Sequence, residues 1–291
     1  PRYIYEELLR RGSDLRKVWA YRGKIHVSDP RTRTVKRLSP SYFYALGRAK
    51  YWVNNQSFPS FLERRPDGVY LQPWHGTPLK RMLHDLDTIN GRDRGYLDRA
   101  THAAQQWSVL VSPSPFVTEI MRSAFRYQGE VSETGYPRND LFLRPDRDEI
   151  SARVRANLGI SPEATVVLYA PTFRDDRVAT SGPRGRFTFD LPLDLERLQQ
   201  TLGDEIVLLV RLHVLVRSRI RIPESCQAVV RDVSTHPEIQ ELCLASDALV
   251  TDYSSVMFDY SILQRPMIFF APDLEHYRDR LRGFYLDYEQ E

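Results

Sequence analysis

From about residue 40 onward, short apolar runs alternate with longer amphipathic segments, and that alternation admits few folds. The runs fall at residues 69–71, 109–112, 165–170, 206–210, 228–231, 248–251 and 267–270. Uninterrupted apolar runs suit strands covered on both faces, as parallel sheets require. Helix patterns with readable starts lie between several of them. Ser114 and Pro115 offer a cap and a first-turn proline for a helix over 116–125. Thr235 and Glu238 have capping-box spacing ahead of 239–245, and residues 252–255 lead from a strand into a helix over 256–263. Such a chain is expected to be α/β: two doubly wound Rossmann-type halves facing across a cleft, with ligands at the carboxyl ends of the strands.

A polar stretch and a Gly-Ile-Ser-Pro turn within 143–162 suggest a boundary, giving an N-terminal domain over 1–150 and a C-terminal domain over 151–291. Residues 175–192, with Gly182, Pro183 and Gly185, read as a mobile loop. No stretch approaches the roughly eighteen apolar residues of a membrane-spanning helix. Cys226 and Cys243 cannot build a disulfide framework and lack metal-ligand spacing, which points to a reducing, cytosolic setting. The chain opens on Pro1 without a signal-peptide pattern, as a piece of a longer or processed chain does.

Charge is unevenly distributed. The formal net charge is +3, yet residues 1–50 carry 13 Lys/Arg against 4 Asp/Glu, so the rest of the chain is mildly acidic. A basic segment of this kind expects an anionic partner: a polyphosphate, a membrane surface or nucleic acid. Aromatics interleave there (Tyr3, Tyr5, Trp19, Tyr21, Tyr42, Phe43, Tyr44), but no nucleic-acid motif accompanies them, and aromatics at such spacing are more often core.

Five clusters stand at expected strand ends or helix starts. His75, in Gln72-Pro-Trp-His-Gly-Thr-Pro-Leu-Lys80, sits in a turn constrained by Gly76 and Pro78, which suits either a general base or a structural histidine. Thr172 and Arg174 leave a strand end together, as phosphate contacts do; Asp175 and Asp176 lack the partners of a metal site. Arg211 and His213, two apart after an apolar strand, point to one face and could neutralise a diphosphate. Ser234 and Thr235 either bind a ligand or cap the next helix. Ser254 and Ser255 open a helix whose N–H groups and dipole favour phosphate, and Asp259, one turn on, suits a polyol hydroxyl. There is no Walker loop, GxGxxG, GxSxG or HExxH.

Taken in order, WHGTPLK (74–80), SPS (112–114), ETGYPRND (133–140), LYAPTFRDD (168–176), VRLH (210–213), DVS (232–234), TDYSSVMFD (251–259) and RPMIFF (265–270) resemble the CDP-glycerol glycerophosphotransferase family of teichoic-acid synthesis. The resemblance implies a GT-B-like fold with an acceptor half and a CDP-glycerol half. It also implies metal-independent transfer of glycerol phosphate from CDP-glycerol to a terminal hydroxyl of a lipid-linked or polymeric polyol-phosphate acceptor, releasing CMP. No cofactor is expected. By motif, His75 is the base, and Arg211 and His213 hold the pyrophosphate with Ser254 and Ser255. Gly76, Thr77, Pro78 and Leu79 belong to the substrate-binding set. Arg138, Thr172, Arg174, Ser234, Thr235 and Asp259 line the donor pocket. Alternatives on the same architecture are a CDP-ribitol polyol-phosphate transferase and a nucleotide-sugar glycosyltransferase. For the basic segment, the resemblance demotes nucleic acid and leaves the anionic inner face of the bacterial membrane and the phosphate-rich growing polymer, both suited to a cytoplasmic, peripheral enzyme.

Overall fold

The computed structural model describes residues 1–291 except 24, 26, 87–94, 173–190, 214, 215, 217–219, 279–282 and 291. The expected loop therefore lies outside the described residues, apart from its last two positions. The chain divides into two compact units. The first comprises Pro1–His75 and Leu83–Arg138, the second Gly76–Met82 and Asn139–Glu291. The division falls at Arg138 rather than at 150, and seven residues after His75 belong with the C-terminal half.

In the first unit, α1 (Arg2–Arg10) precedes a parallel pair, β1 (Val18–Tyr21) and β2 (Arg33–Lys36). After α2 (Pro40–Arg48) comes a parallel sheet ordered β3 (Tyr51–Val53), β4 (Val69–Gln72), β5 (Val109–Ser112), β6 (Glu130–Glu133). Helices α3 (Tyr96–Gln105) and α4 (Pro115–Phe125) lie in the crossovers. Ser114 caps α4 as expected, its Oγ accepting from Val117 N. The edge strands β3 and β6 went unforeseen because one has three residues and the other reads Glu-Val-Ser-Glu. Their pairing rests on backbone hydrogen bonds, which side-chain pattern does not report.

The first α-helix of the second unit is α5 (Arg147–Asn157). Its sheet is wholly parallel: β11 (Met267–Phe269), β10 (Ala248–Thr251), β7 (Thr165–Ala170), β8 (Ile206–Val210), β9 (Val230–Asp232). The central strands are the continuous apolar runs; Val166, Leu168, Leu209 and Val210 are fully buried. Helix α6 (Leu195–Leu202) covers part of this core. Strand β9 starts two residues later than expected, because Val229 N closes a turn on the Cys226 carbonyl. Helix α7 (Ile239–Ala245) has the expected span but not the expected cap. Glu238 is its cap residue and makes no side-chain capping bond, while Thr235 sits in a turn closed by His236 N on the Val233 carbonyl. The helix expected over 256–263 is one turn, α8 (Val256–Tyr260), followed by a 3-10 turn over Ser261–Leu263. No helix among the described residues is long and apolar enough to cross a membrane.

Candidate active site

In the first unit, β4 ends at Gln72 and delivers a tight turn. Trp74 takes φ +47°, sparsely populated for a bulky side chain, and its N–H is held by Gln72 Oε1 at 3.1 Å. Packing pays for this strain: the Trp74 ring meets Phe125 edge-on at 5.1 Å, and Trp107 packs on Phe125 at 5.2 Å. The turn presents His75 at the surface, its ring centroid 4.2 Å from that of Trp74 and tilted by 37°.

His75 Nδ1 lies 2.7 Å from the Asn55 carbonyl. A carbonyl only accepts, so Nδ1 carries the proton and a neutral ring keeps its lone pair on Nε2. The ring edge is exposed, yet the protein mass around it disfavours the imidazolium and lowers the pKa below the ordinary 6.5. The Asn55 carbonyl works in the opposite sense, and the Arg138 charge adds to the lowering. The imidazole is thus a neutral base at pH 7. An NMR titration of His75 is expected to give a midpoint below 6.5; a midpoint at or above 6.5 contradicts this account. Because the folded value is the lower one, the associated stability is fully present above 6.5 and is lost as pH falls through the folded midpoint.

Arg138 closes the first unit, half-buried and 4.7 Å over the Tyr136 ring. Gly76, Thr77, Pro78 and Leu79 are buried within the second unit, so they are packed there rather than presented on an open loop.

The remaining candidates follow the parallel strands of the second unit, whose common direction brings their carboxyl ends to one edge. Thr172, buried just past β7, donates its N–H to Asp252 Oδ1 at 2.8 Å, tying that strand end to the one after β10. Arg174 lies outside the described residues. Beyond β8 the expected pair parts. His213 is exposed, whereas Arg211 is half-buried, and its Nη1 donates to the carbonyls of Val233 and Ser234, each at 2.9 Å, and of His236. Arg211 Nη1 therefore braces the turn after β9. Those carbonyls have left the ladder, and a guanidinium satisfies several at once. Ser234 belongs to the same brace, its Oγ accepting from Leu212 N at 3.0 Å and its N–H bonding Asp232 Oδ1 at 2.9 Å. Thr235 is exposed.

Ser254 and Ser255 are half-buried ahead of α8, and Ser255 is its cap residue. One helical turn carries little dipole, so their hydroxyls matter more here than a helix field. Asp259 does not stand open to a polyol. It is buried, accepting from Asn139 Nδ2 at 2.9 Å and facing Gln240 Nε2 at 3.5 Å. Sequence reasoning passed over Asn139 and Asp252, although both stand inside the quoted motifs. It had no signal for Asn55, which acts through its backbone carbonyl. Among the described residues no group of three or more His, Cys, Asp or Glu could hold a metal ion.

A constrained neutral imidazole in the first unit, and hydroxyl groups with a histidine at the carboxyl edge of the second unit's parallel sheet, are groups an α/β protein can turn to phosphate esters. The chain belongs to the CDP-Glycerol:Poly(glycerophosphate) glycerophosphotransferase family, whose pattern matches residues 1–291. It is 40% identical over 298 residues to the teichoic acid glycerol-phosphate transferase of Staphylococcus aureus (strain NCTC 8325 / PS 47), covering all of this chain and 75% of that protein. It is 38% identical over 296 residues to the teichoic acid poly(glycerol phosphate) polymerase of Bacillus subtilis (strain 168), again over its full length but only 39% of the polymerase. A solved structure of a variant of the wall teichoic acid polymerase TagF, soaked with CDPG, matches with a TM-score of 0.90 at 37% identity, covering 100% of this chain and 71% of that one.

Proposed function

We propose that the chain transfers glycerol phosphate from CDP-glycerol to a terminal hydroxyl of a lipid-linked or polymeric polyol-phosphate acceptor, releasing CMP, in teichoic-acid-type polymer synthesis. The observation that carries this reading is the family match along the whole chain, with a neutral, oriented His75 inside the matched motif. The architecture is read as GT-B-like, with two Rossmann-type halves: the first unit serves the acceptor and the second holds CDP-glycerol.

His75 Nε2 takes the acceptor hydroxyl proton as that oxygen attacks the β-phosphorus. A new P–O bond forms, the β-phosphorus bond to the bridging oxygen breaks, and CMP departs with that oxygen and its electron pair. His213 and the hydroxyls of Ser254 and Ser255 offset the charge that collects on CMP. Arg138, Thr172, Arg174, Ser234 and Thr235 contact the donor, while Arg211 and Asp259 hold the pocket walls from behind. The mechanism calls on no metal or cofactor.

The test is a thermal-shift series on the purified chain, paired with a CMP-release assay. CDP-glycerol is expected to raise the melting temperature most; saturation at a hundred times Kd stabilises by about 2.7 kcal/mol. A larger shift with CDP-ribitol reassigns the donor, a shift confined to UDP-sugars points to a glycosyltransferase, and absence of CMP release sinks the reading.

The same reading gives the basic segment an anionic membrane surface at the cytoplasmic face. Arg31, Arg33 and Lys36 are exposed on and beside β2, and each basic residue near such a surface adds about 1 kcal/mol. Reversing Arg31, Arg33, Lys36 and Arg37 to glutamate is expected to abolish sedimentation with phosphatidylserine vesicles. Unchanged sedimentation removes the membrane from the account.

A further inference from the structure

The chain leaves the first unit immediately after His75, and Gly76–Met82 pack with the second. What holds them is a short C-terminal segment, residues 283–288. Lys80 and Phe284 form an antiparallel bridge. Arg81 N donates to the Gly283 carbonyl at 3.2 Å, and Tyr285 N to the Leu79 carbonyl at 2.8 Å. Arg81 Nε reaches the Phe284 carbonyl at 3.3 Å, and Met82 N donates to Tyr285 Oη at 3.2 Å. Gly283 takes φ +68°, a conformation other residues resist, beside the Arg81 side chain.

The same six residues also reach the turn that carries Ser254 and Ser255. Phe284 stacks on Tyr277 with ring centroids 5.8 Å apart and planes 7° from parallel, and packs on Tyr253 at 5.4 Å. Tyr253 and Tyr277 are fully buried and stack on each other at 4.2 Å. Tyr288 packs on Phe284 at 5.6 Å and donates its hydroxyl to the Asp252 carbonyl at 3.0 Å. Lys80 Nζ stands 5.2 Å over the Tyr277 ring. One aromatic core thus carries the exit of the His75 turn at one end and the Ser254 turn at the other.

We propose that residues 283–288 are a positioning strap for the transfer reaction, with Tyr285 fixing the exit of the His75 turn through Met82 and Tyr288 fixing the Ser254 turn through Asp252. This rests on the reading of His75 as base and of Ser254 and Ser255 as donor contacts. The strap acts through backbone groups and is not itself assigned to the substrate. Its two hydroxyls serve different partners, so their removal separates kinetically.

The test uses Tyr285→Phe and Tyr288→Phe, each deleting one hydroxyl while keeping the ring. Tyr285→Phe is expected to lower kcat about tenfold with KM for CDP-glycerol unchanged, because small misplacement of a reacting group is costly. Tyr288→Phe is expected to raise KM for CDP-glycerol by about fivefold or more with a smaller effect on kcat. Hydrogen exchange at the Met82 amide speeds up in Tyr285→Phe alone. Equal losses of kcat and KM in both variants, tracking a fall in melting temperature, reduce the segment to a structural one and overturn the proposal, as does wild-type kinetics in both. If the wild-type chain releases no CMP from CDP-glycerol, the functional reading has failed. The Met82 exchange rate then still decides whether the strap anchors this segment, and an unchanged rate overturns it.

Discussion

His75→Ala is expected to reduce CMP release from CDP-glycerol by about 10²- to 10⁴-fold, the usual contribution of a positioned general base. The argument is geometric before it is electrostatic. The Asn55 carbonyl at 2.7 Å claims the Nδ1 proton, which leaves Nε2 as the lone-pair atom. Burial and the Arg138 charge keep the ring neutral. The alanine variant should fold, because the side chain lies at the surface and its ring contact is with Trp74, which Phe125 also holds. It should also keep its thermal shift with CDP-glycerol, since the donor contacts assigned above are other residues, most of them in the second unit. Near-normal turnover ends the assignment of His75 as base. Loss of turnover together with loss of the donor shift makes it a binding residue instead.

Arg211→Ala is expected to destabilise the ligand-free protein by about 1–3 kcal/mol, because it leaves carbonyl groups of the turn after β9 without their donor. The half-buried guanidinium serves Val233, Ser234 and His236 together, a task that lysine, with a compact ammonium, performs poorly. Arg211→Lys should therefore recover only part of the loss. The decisive comparison is denaturant unfolding without nucleotide. A stability change there marks a brace; unchanged stability with a large loss of donor affinity marks a direct phosphate contact. Either result explains why arginine stands here, but only the first agrees with the contacts observed.

The two units differ in how openly the sequence announces them. The sheet of the second unit was legible almost strand by strand, since β7, β8 and β10 are apolar runs covered on both faces. Strands β3 and β6 escaped notice because edge strands need neither a long run nor a full apolar face. The site shows the same divide. His75, Thr172, His213 and Ser255 stand out in the sequence because their types and their places at strand ends suit phosphate chemistry. Arg211 and Asp259 stand out too, and the structure gives both of them protein partners that the sequence does not announce. A guanidinium and a carboxylate bind protein groups as readily as ligands, and residue type does not choose between the two.

Residue order by itself determined the α/β class, the run of motifs and the candidate base, because burial on both faces, turn chemistry and side-chain type are local properties. Only the tertiary structure decided that Asn55 sets the tautomer of His75, that Arg211 spends its charge on backbone, and that Gly76–Met82 fold with residues some 200 positions away. Each of these rests on backbone atoms brought together by packing, and backbone atoms are the same at every position in the chain.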